Sequence, residues 1–136
     1  MLVTRLSPDT LHKNPAYSQA AVVAPGAALV FVGGQNGVDT QGQVVGPDIA
    51  SQTTQALRNM EAALAAAGAS WQDVFKMAIY LVQGHSLQAG YAAAMPFLQQ
   101  IGQPPIVTAL VVTGLGHPAA VVEIEAVAAI RPGAAA

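Results

Sequence analysis

The chain contains no cysteine. Disulfide bonds, thiolate nucleophiles and cysteine-ligated metals are therefore excluded, and the composition agrees with the cytoplasmic location that we expect. His12, His85 and His117 share no i,i+4 spacing and have no neighbouring acidic motif. Solvated loop positions are favoured for these histidines over a metal site, and we expect neither a metal nor any other cofactor.

Charge is also scarce: charged residues make up 9% of the chain and apolar residues 53%, against about 25% charged in an average soluble protein. A surface with so little charge is buried either in a membrane or against other copies of the chain. No apolar run reaches about 18 residues, and residues 1–15 lack the features of a secretory signal. The net charge of −2, with scattered lysines and arginines, gives no basic patch for nucleic acid. The composition therefore predicts a homo-oligomer that binds neither membrane nor nucleic acid.

Short apolar runs bounded by glycine and proline predict about six strands. Residues 20–24 and 28–32 flank a Pro-Gly turn and are predicted to form a hairpin. The last third of the chain, residues 104–130, is predicted to hold two strands that also meet across a Gly/Pro turn. The remaining two strands are predicted at residues 2–6 and 74–82.

Two amphipathic segments predict helices over residues 48–67 and 86–101. Asp48 is the predicted N-cap of the first helix, and Gly68 is its predicted C-terminal stop. Pro96 predicts a kink in the second helix. The second helix is predicted to bury the stripe Leu87, Tyr91, Met95, Leu98 and Ile101. Two helices cover only one face of such a sheet, so we expect the other face to pack against a second copy of the chain. The whole chain, residues 1–136, is predicted to be one α+β domain.

Two carboxylates interrupt the last apolar run. Glu123 and Glu125 lie two residues apart and therefore on the same face of a strand. A buried charge is costly unless it is paired or hydrogen-bonded, so either these acids are satisfied by local partners or one of them works as a general acid or base. The glycines around Gly33 and Gly34 allow a close backbone approach, but no lysine follows them as in a phosphate loop.

Segments in order along nearly the whole chain resemble the RidA (YjgF/UK114) enamine/imine deaminase family. They are NPAYSQA at 14–20, LVFVGGQ at 29–35, the helix sequence at 48–70, VFKMAIYL at 74–81 and VVEIEAVA at 121–128. The resemblance implies a chorismate-mutase-like α+β fold with a mixed sheet. It also implies a homotrimer that hydrolyses reactive imines or enamines in clefts between its subunits.

The resemblance also implies a set of site residues. Glu123 matches the family glutamate that positions or activates water, and it is the predicted catalytic residue. The predicted substrate contacts are Tyr17, Gly33, Gly34, Tyr91, Val107, Thr108 and Ala109. Gly33 stands where the family has a serine, and Tyr91 stands where it has an asparagine.

Val107 stands where the family has an arginine that binds the substrate carboxylate through two hydrogen bonds. Valine offers no such contact, and the sequence does not place Arg5, Lys13 or Lys76 in the cleft. Three hypotheses therefore remain open. The chain is a hydrolase for a neutral or differently anchored imine or enamine, a non-catalytic trimer that binds a small ligand, or a mainly structural relative.

Overall fold

The computed structural model describes residues 2–133 and contains six strands and two α-helices, which confirms the predicted α+β class. A short 3₁₀ turn, Trp71–Asp73, precedes the fourth strand. The elements are β1 (Val3–Leu6), β2 (Ala20–Val23), β3 (Ala28–Gln35), α1 (Ile49–Ala66), β4 (Val74–Val82), α2 (Leu87–Leu98), β5 (Ile106–Val112) and β6 (Val122–Ile130).

The six strands form two sheets rather than one. β1 and β2 form an antiparallel pair, and the other strands form a mixed four-stranded sheet in the order β3-β6-β4-β5. The predicted hairpin over residues 20–24 and 28–32 is therefore wrong, because β2 pairs with β1 and β3 pairs with β6. The physical reason is burial: Val3 of β1 packs with Phe75 and Ala129, so the two-stranded ribbon covers one end of the larger sheet.

The two strands of the last third are not neighbours either. β4 lies between β5 and β6, pairing in parallel with β5 and antiparallel with β6. A parallel pair needs a crossover connection, and α2 supplies it, so β4, α2 and β5 form a βαβ unit. β4 is one of the two inner strands of this sheet, as expected for a strand that is apolar on both faces.

α1 has the termini that its sequence predicts. The Asp48 carboxylate accepts a hydrogen bond from the Ser51 amide at 2.8 Å, and the hydrogen bonds from Ser51 lower the pKa of Asp48. Gly68 follows the helix with a φ of +76°, a conformation that favours glycine. α1 and α2 lie on the same side of the four-stranded sheet and enclose the main core. Its largest fully buried apolar residues are Leu57, Met60, Leu64, Met77, Val74 and Val122.

Gln52 of α1 is a polar residue whose side chain is fully buried. Its amide donates hydrogen bonds to the carbonyls of Gly46 at 3.2 Å and Ala119 at 3.1 Å. Its oxygen accepts from the Val121 amide at 2.8 Å. A polar side chain can be buried here because its amide nitrogen and its oxygen are both paired with backbone groups.

α2 is rotated relative to the prediction and ends at Leu98 rather than at residue 101. Its buried residues are Gly90 and Ala94, whereas Leu87 and Tyr91 are about half exposed. A Cβ atom on residue 90 would lie 3.3 Å from Ile49 Cδ1, so the smallest side chains of α2 set its approach to α1. Pro96 lies inside the helix, as predicted.

Neither α1 nor α2, the two α-helices found within residues 2–133, is long and apolar enough to cross a membrane.

Candidate functional site

The predicted site residues divide between the two faces of the four-stranded sheet. Val122 and Ile124 of β6 point toward the helices, so Glu123 and Glu125 lie on the opposite side, here called the open face. Residues opposite each other in adjacent strands share a face. Val107 therefore lies with Met77 on the helix side, whereas Thr108 lies with Ala78 on the open face.

On the open face, Glu123 is held against the end of β3. Its Oε1 atom accepts a hydrogen bond from Asn36 Nδ2 at 3.2 Å. A Cβ atom on residue 34 would lie 2.1 Å from Glu123 Oε2, so the carboxylate occupies space that only a glycine leaves. Gly33 has no such neighbour, since nothing lies within 4 Å of the corresponding position. The structure thus brings Glu123 and Gly34, two of the predicted site residues, into contact.

Asn36 is a site residue that the sequence reasoning missed. α1 holds its segment in place, because Asn59 Nδ2 donates to the carbonyls of Asn36 at 3.2 Å and Val38 at 2.8 Å. The side chain of Asn36 then reaches Glu123 across the irregular pairing of β3 with β6. The one available signal is its position two residues after Gly34, at the end of the strand.

Glu125 has a different environment from Glu123. Its Oε1 atom accepts a hydrogen bond from the Tyr80 hydroxyl at 2.8 Å. This bond, partial burial and the negative charges of both glutamates raise the pKa of the Tyr80 phenol. Glu125 is therefore satisfied locally, by a side chain of the neighbouring strand β4.

On the helix side, a groove of about 530 Å³ lies between α2 and the sheet, and we call it the α2 groove. It brings together Tyr17, Tyr91, Val107 and Ala109 of the predicted substrate contacts. The apolar walls include Met77, Ile79 and Leu81 of β4, Leu87, Met95 and Leu98 of α2, and Ile124 of β6. No lining residue within the described part of the chain is charged.

Arg5, Lys13 and Lys76 are the cations that the sequence alone could not place relative to the cleft. Arg5 donates to the Val74 carbonyl at 3.0 Å, and burial lowers the pKa of its guanidinium. Lys13 pairs with Asp9 at 2.6 Å, and Lys76 is exposed on the open face of β4, paired with Val127 rather than with Glu123. Within residues 2–133, no lysine or arginine forms an ion pair with Glu123, and no cluster of His, Asp and Glu has the makings of a metal site.

Comparison with known proteins gives one family. The family described as endoribonuclease L-PSP matches residues 8–130. A RutC family protein of Pyrococcus abyssi is 42% identical over 66 residues, which are 48% of this chain and 50% of that protein. The chain thus matches about half the length of that curated relative.

Solved structures match over a longer part of the chain. A Rid family protein of unknown function from Yersinia pestis is 28% identical with a TM-score of 0.83, covering 96% of this chain and 100% of that chain. E. coli TdcF, solved with bound serine, is 26% identical with a TM-score of 0.68, covering 93% of this chain and 95% of that chain.

Proposed function

Since the chain belongs to the endoribonuclease L-PSP family, together with the Rid (YjgF/YER057c/UK114) proteins, we propose that it hydrolyses uncharged imines or enamines in clefts between subunits. The observation that carries this proposal is the setting of Glu123. One oxygen of its carboxylate accepts from Asn36, and the other lies over Gly34 on the open face of the sheet. A carboxylate held in this way is suited to orient water.

A complete cleft needs two copies of the chain. Glu123 and Gly34 lie on the open face, whereas Tyr17, Tyr91 and Val107 line the α2 groove on the other side of the sheet. A single chain cannot present both groups to one small molecule. A second copy can place its open face against the groove of the first, and three copies arranged in this way give a homotrimer with three clefts.

The open face offers an apolar surface for this contact. Leu29 and Phe31 of β3 lie on it, and Leu110 of β5 lies at its other edge. Their exposed fractions are 46%, 73% and 48%. Exposed side chains of this size on one sheet face are typical of a surface that is covered in an assembly. Burial of this face also accounts for the small number of charged residues in the chain.

The proposed reaction is the conversion of an imine and water into a carbonyl compound and ammonia. Glu123 accepts a proton from water while the water oxygen bonds to the imine carbon, and the C=N electron pair moves to nitrogen, which takes that proton from Glu123 to give a carbinolamine. Glu123 then accepts the carbinolamine hydroxyl proton as the C=O bond forms. It passes this proton to the nitrogen as the C–N bond breaks, and ammonia leaves. An enamine enters the same sequence after it is protonated on carbon.

The proposed substrate is uncharged because of the residues around the cleft. Val107 gives a carboxylate no hydrogen bond, and Glu123 repels an anion in the absence of a nearby cation. In this respect the chain would differ from TdcF, whose bound serine carries a carboxylate. A ribonuclease activity, which the family description names, fits less well, since two carboxylates on the open face repel phosphate.

A second candidate is a trimer that binds a small molecule without turning it over. The uncharged lining of the α2 groove favours it, since the groove can hold an apolar ligand without any contribution from Glu123. A cytoplasmic location remains our expectation from the sequence for both candidates.

The test is ammonia release from imines generated in solution by an amine oxidase, compared with the 2-aminoacrylate released by a pyridoxal-phosphate lyase. We expect acceleration of the uncharged imines above the spontaneous rate, and a loss of on the order of 10²-fold in kcat for Glu123→Gln. Glu125→Gln is the matched control, because that carboxylate is already engaged by Tyr80.

Three outcomes decide between the candidates. Equal rates for the wild type and Glu123→Gln overturn the catalytic role of Glu123. Faster turnover of 2-aminoacrylate than of uncharged imines overturns the substrate assignment. Binding of ligands without any acceleration of hydrolysis supports the second candidate.

A further inference from the structure

We infer that the α2 groove binds the apolar body of the ligand, and that this ligand is a neutral carbonyl or imine compound with an alkyl or aryl group and one distal polar atom. The inference rests on the proposed function only for the identity of the reacting group. The shape and lining of the groove carry the rest.

Small side chains on α2 create the groove. The helix sequence LQAGYAAAMPFL buries only Gly90 and Ala94. A helix that packed larger side chains at these positions would fill the space above Met77 and Ile79 of β4. The volume of about 530 Å³ lies within the roughly 300–1,000 Å³ of small-molecule sites.

The lining selects for an uncharged ligand. Leu57, Leu81, Leu98 and Ile124 supply apolar walls, and the groove residues within the described part of the chain include no acid, base or histidine. Moving an ion into such surroundings without a partner is very costly, whereas each buried methylene group is stabilising.

Thr53 provides a second, independent indication of a ligand. It lines the groove from α1 and is only 3% exposed, yet its hydroxyl has no hydrogen-bond partner among the described residues. The hydroxyl is covered and lies 3.6 Å from the position of a Cβ atom on residue 90, so a ligand reaches it where α2 shifts at Gly90, a residue without a side chain. Buried hydroxyls are normally paired, and a ligand oxygen or nitrogen would supply the partner.

The groove also indicates how the ligand is oriented. Tyr17 and Val107 are partly exposed and Tyr91 is 55% exposed, so these residues form the mouth, whereas Thr53 and Leu57 form the floor. The reacting carbon at the mouth would face Glu123 of a second copy. The alkyl or aryl body lies beneath α2, with its distal polar atom at Thr53.

The experiment measures dissociation constants by calorimetry for 2-alkanones from 2-butanone to 2-octanone, which are products of ketimine hydrolysis. We expect affinity to rise about fourfold per added methylene until the groove is filled. Straight-chain carboxylates of the same length should bind at least tenfold more weakly. Affinity that does not change with chain length, or that is higher for the carboxylates, overturns the inference.

Two variants of the same helix test the location. Ala94→Leu fills the groove and should weaken 2-octanone at least tenfold, whereas Ala92→Leu, on the exposed side of α2, should leave it within twofold. If Ala94→Leu does not fold, Ala109→Leu fills the groove from the exposed edge strand β5. Unchanged binding in the folded groove-filling variant overturns the location.

Thr53→Val tests the distal polar atom. We expect it to weaken ω-hydroxy-2-alkanones by about fivefold to tenfold and the unsubstituted ketones by less than twofold. Equal effects on both series overturn the role of Thr53.

These readouts are separate from turnover. Ketone affinity that depends on chain length, without imine hydrolysis, supports the α2 groove as the ligand site and overturns the proposed reaction. Imine hydrolysis that depends on Glu123, together with ketone affinity that does not depend on chain length, supports the reaction and overturns the ligand assignment of the groove.

Discussion

Val107 and Glu123 lie on opposite faces of one sheet, with β4 between their strands. Val107 is paired with Met77 and faces the helices, whereas Glu123 is paired with Tyr80 and lies on the open face. The two positions that matter most for the proposed chemistry therefore cannot act on the same molecule within one chain. This separation is the basis for proposing that each cleft is built by two copies.

Gly34→Ala should reduce catalysis much more than stability. The added Cβ would lie 2.1 Å from Glu123 Oε2, and the carboxylate is the flexible end of its side chain, so it moves away at little cost in folding free energy. We expect a loss on the order of 10²-fold in kcat and a change in unfolding free energy below about 1 kcal/mol.

The control for this substitution is Gly33→Ala, since nothing lies within 4 Å of its added Cβ. The side-chain amide resonances of Asn36 report the hydrogen bond to Glu123. They should shift in Gly34→Ala and stay in place in Gly33→Ala. Identical spectra for all three proteins would contradict the steric argument.

Val107→Arg should shift substrate preference toward carboxylates. The residue lines the mouth of the α2 groove, where a guanidinium could form two charged hydrogen bonds to an anion. We expect the KM for 2-aminoacrylate, or the Kd of a short 2-keto acid, to fall about tenfold or more. Val111→Arg is the matched control, because it lies on the same face of β5, is 59% exposed and is not part of the groove lining. An equal gain in both variants would indicate a general charge effect.

The stabilising contribution of Tyr80 should be lost in alkaline solution. Its pKa is raised above the ordinary value of a tyrosine phenol, chiefly by the hydrogen bond to Glu125. The folded state therefore keeps the phenol proton at a pH where the unfolded state loses it. The resulting stabilisation is complete below pH 10 and is lost as the pH rises through the folded-state pKa.

Denaturant unfolding between pH 8 and pH 12 measures this effect. Tyr80→Phe should flatten the decline in unfolding free energy above pH 10, whereas Tyr91→Phe, the loss of an exposed tyrosine, should not. A decline of the same slope in Tyr80→Phe would contradict the assignment.

Gln52→Ala should be among the most destabilising substitutions on α1. It removes three hydrogen bonds and leaves the Val121 amide and two carbonyls without their partner. We expect a loss of roughly 3 kcal/mol in unfolding free energy. Gln55→Ala should change it by less than about 0.5 kcal/mol, since Gln55 donates only to Asn59, on the same helix. Similar effects of the two substitutions would show that the loop contacts of Gln52 add little.

Local sequence signals predicted the local features of the fold. Asp48 and Gly68 mark the ends of α1 correctly, and Ser70 and Asp73, three positions apart, form a capping box before β4. These features depend on residues within a few positions of one another, so a single sequence contains the necessary information. The alternation of β6, which places Glu123 and Glu125 on one face, is predictable for the same reason.

Contacts between distant segments could not be predicted in this way. The partner of a strand depends on burial across the whole chain, and β2 pairs with β1 because Val3 and Phe75 need a shared core. Gln52 is polar, so a hydrophobic stripe cannot reveal that it is buried. The Asn36–Glu123 contact spans 87 residues and depends on an irregular register between β3 and β6, for which a single sequence has no marker.

The small side chains of α2 also have a consequence for its motion. The helix buries only a glycine and an alanine, and Pro96 lacks the amide that would bond to the preceding turn. Less free energy therefore opposes its transient separation from the sheet than opposes that of α1, which buries seven residues, and the amides of α2 should exchange with solvent faster than those of α1. The rate at which a ligand enters or leaves the protein would then be set by the opening of this helix.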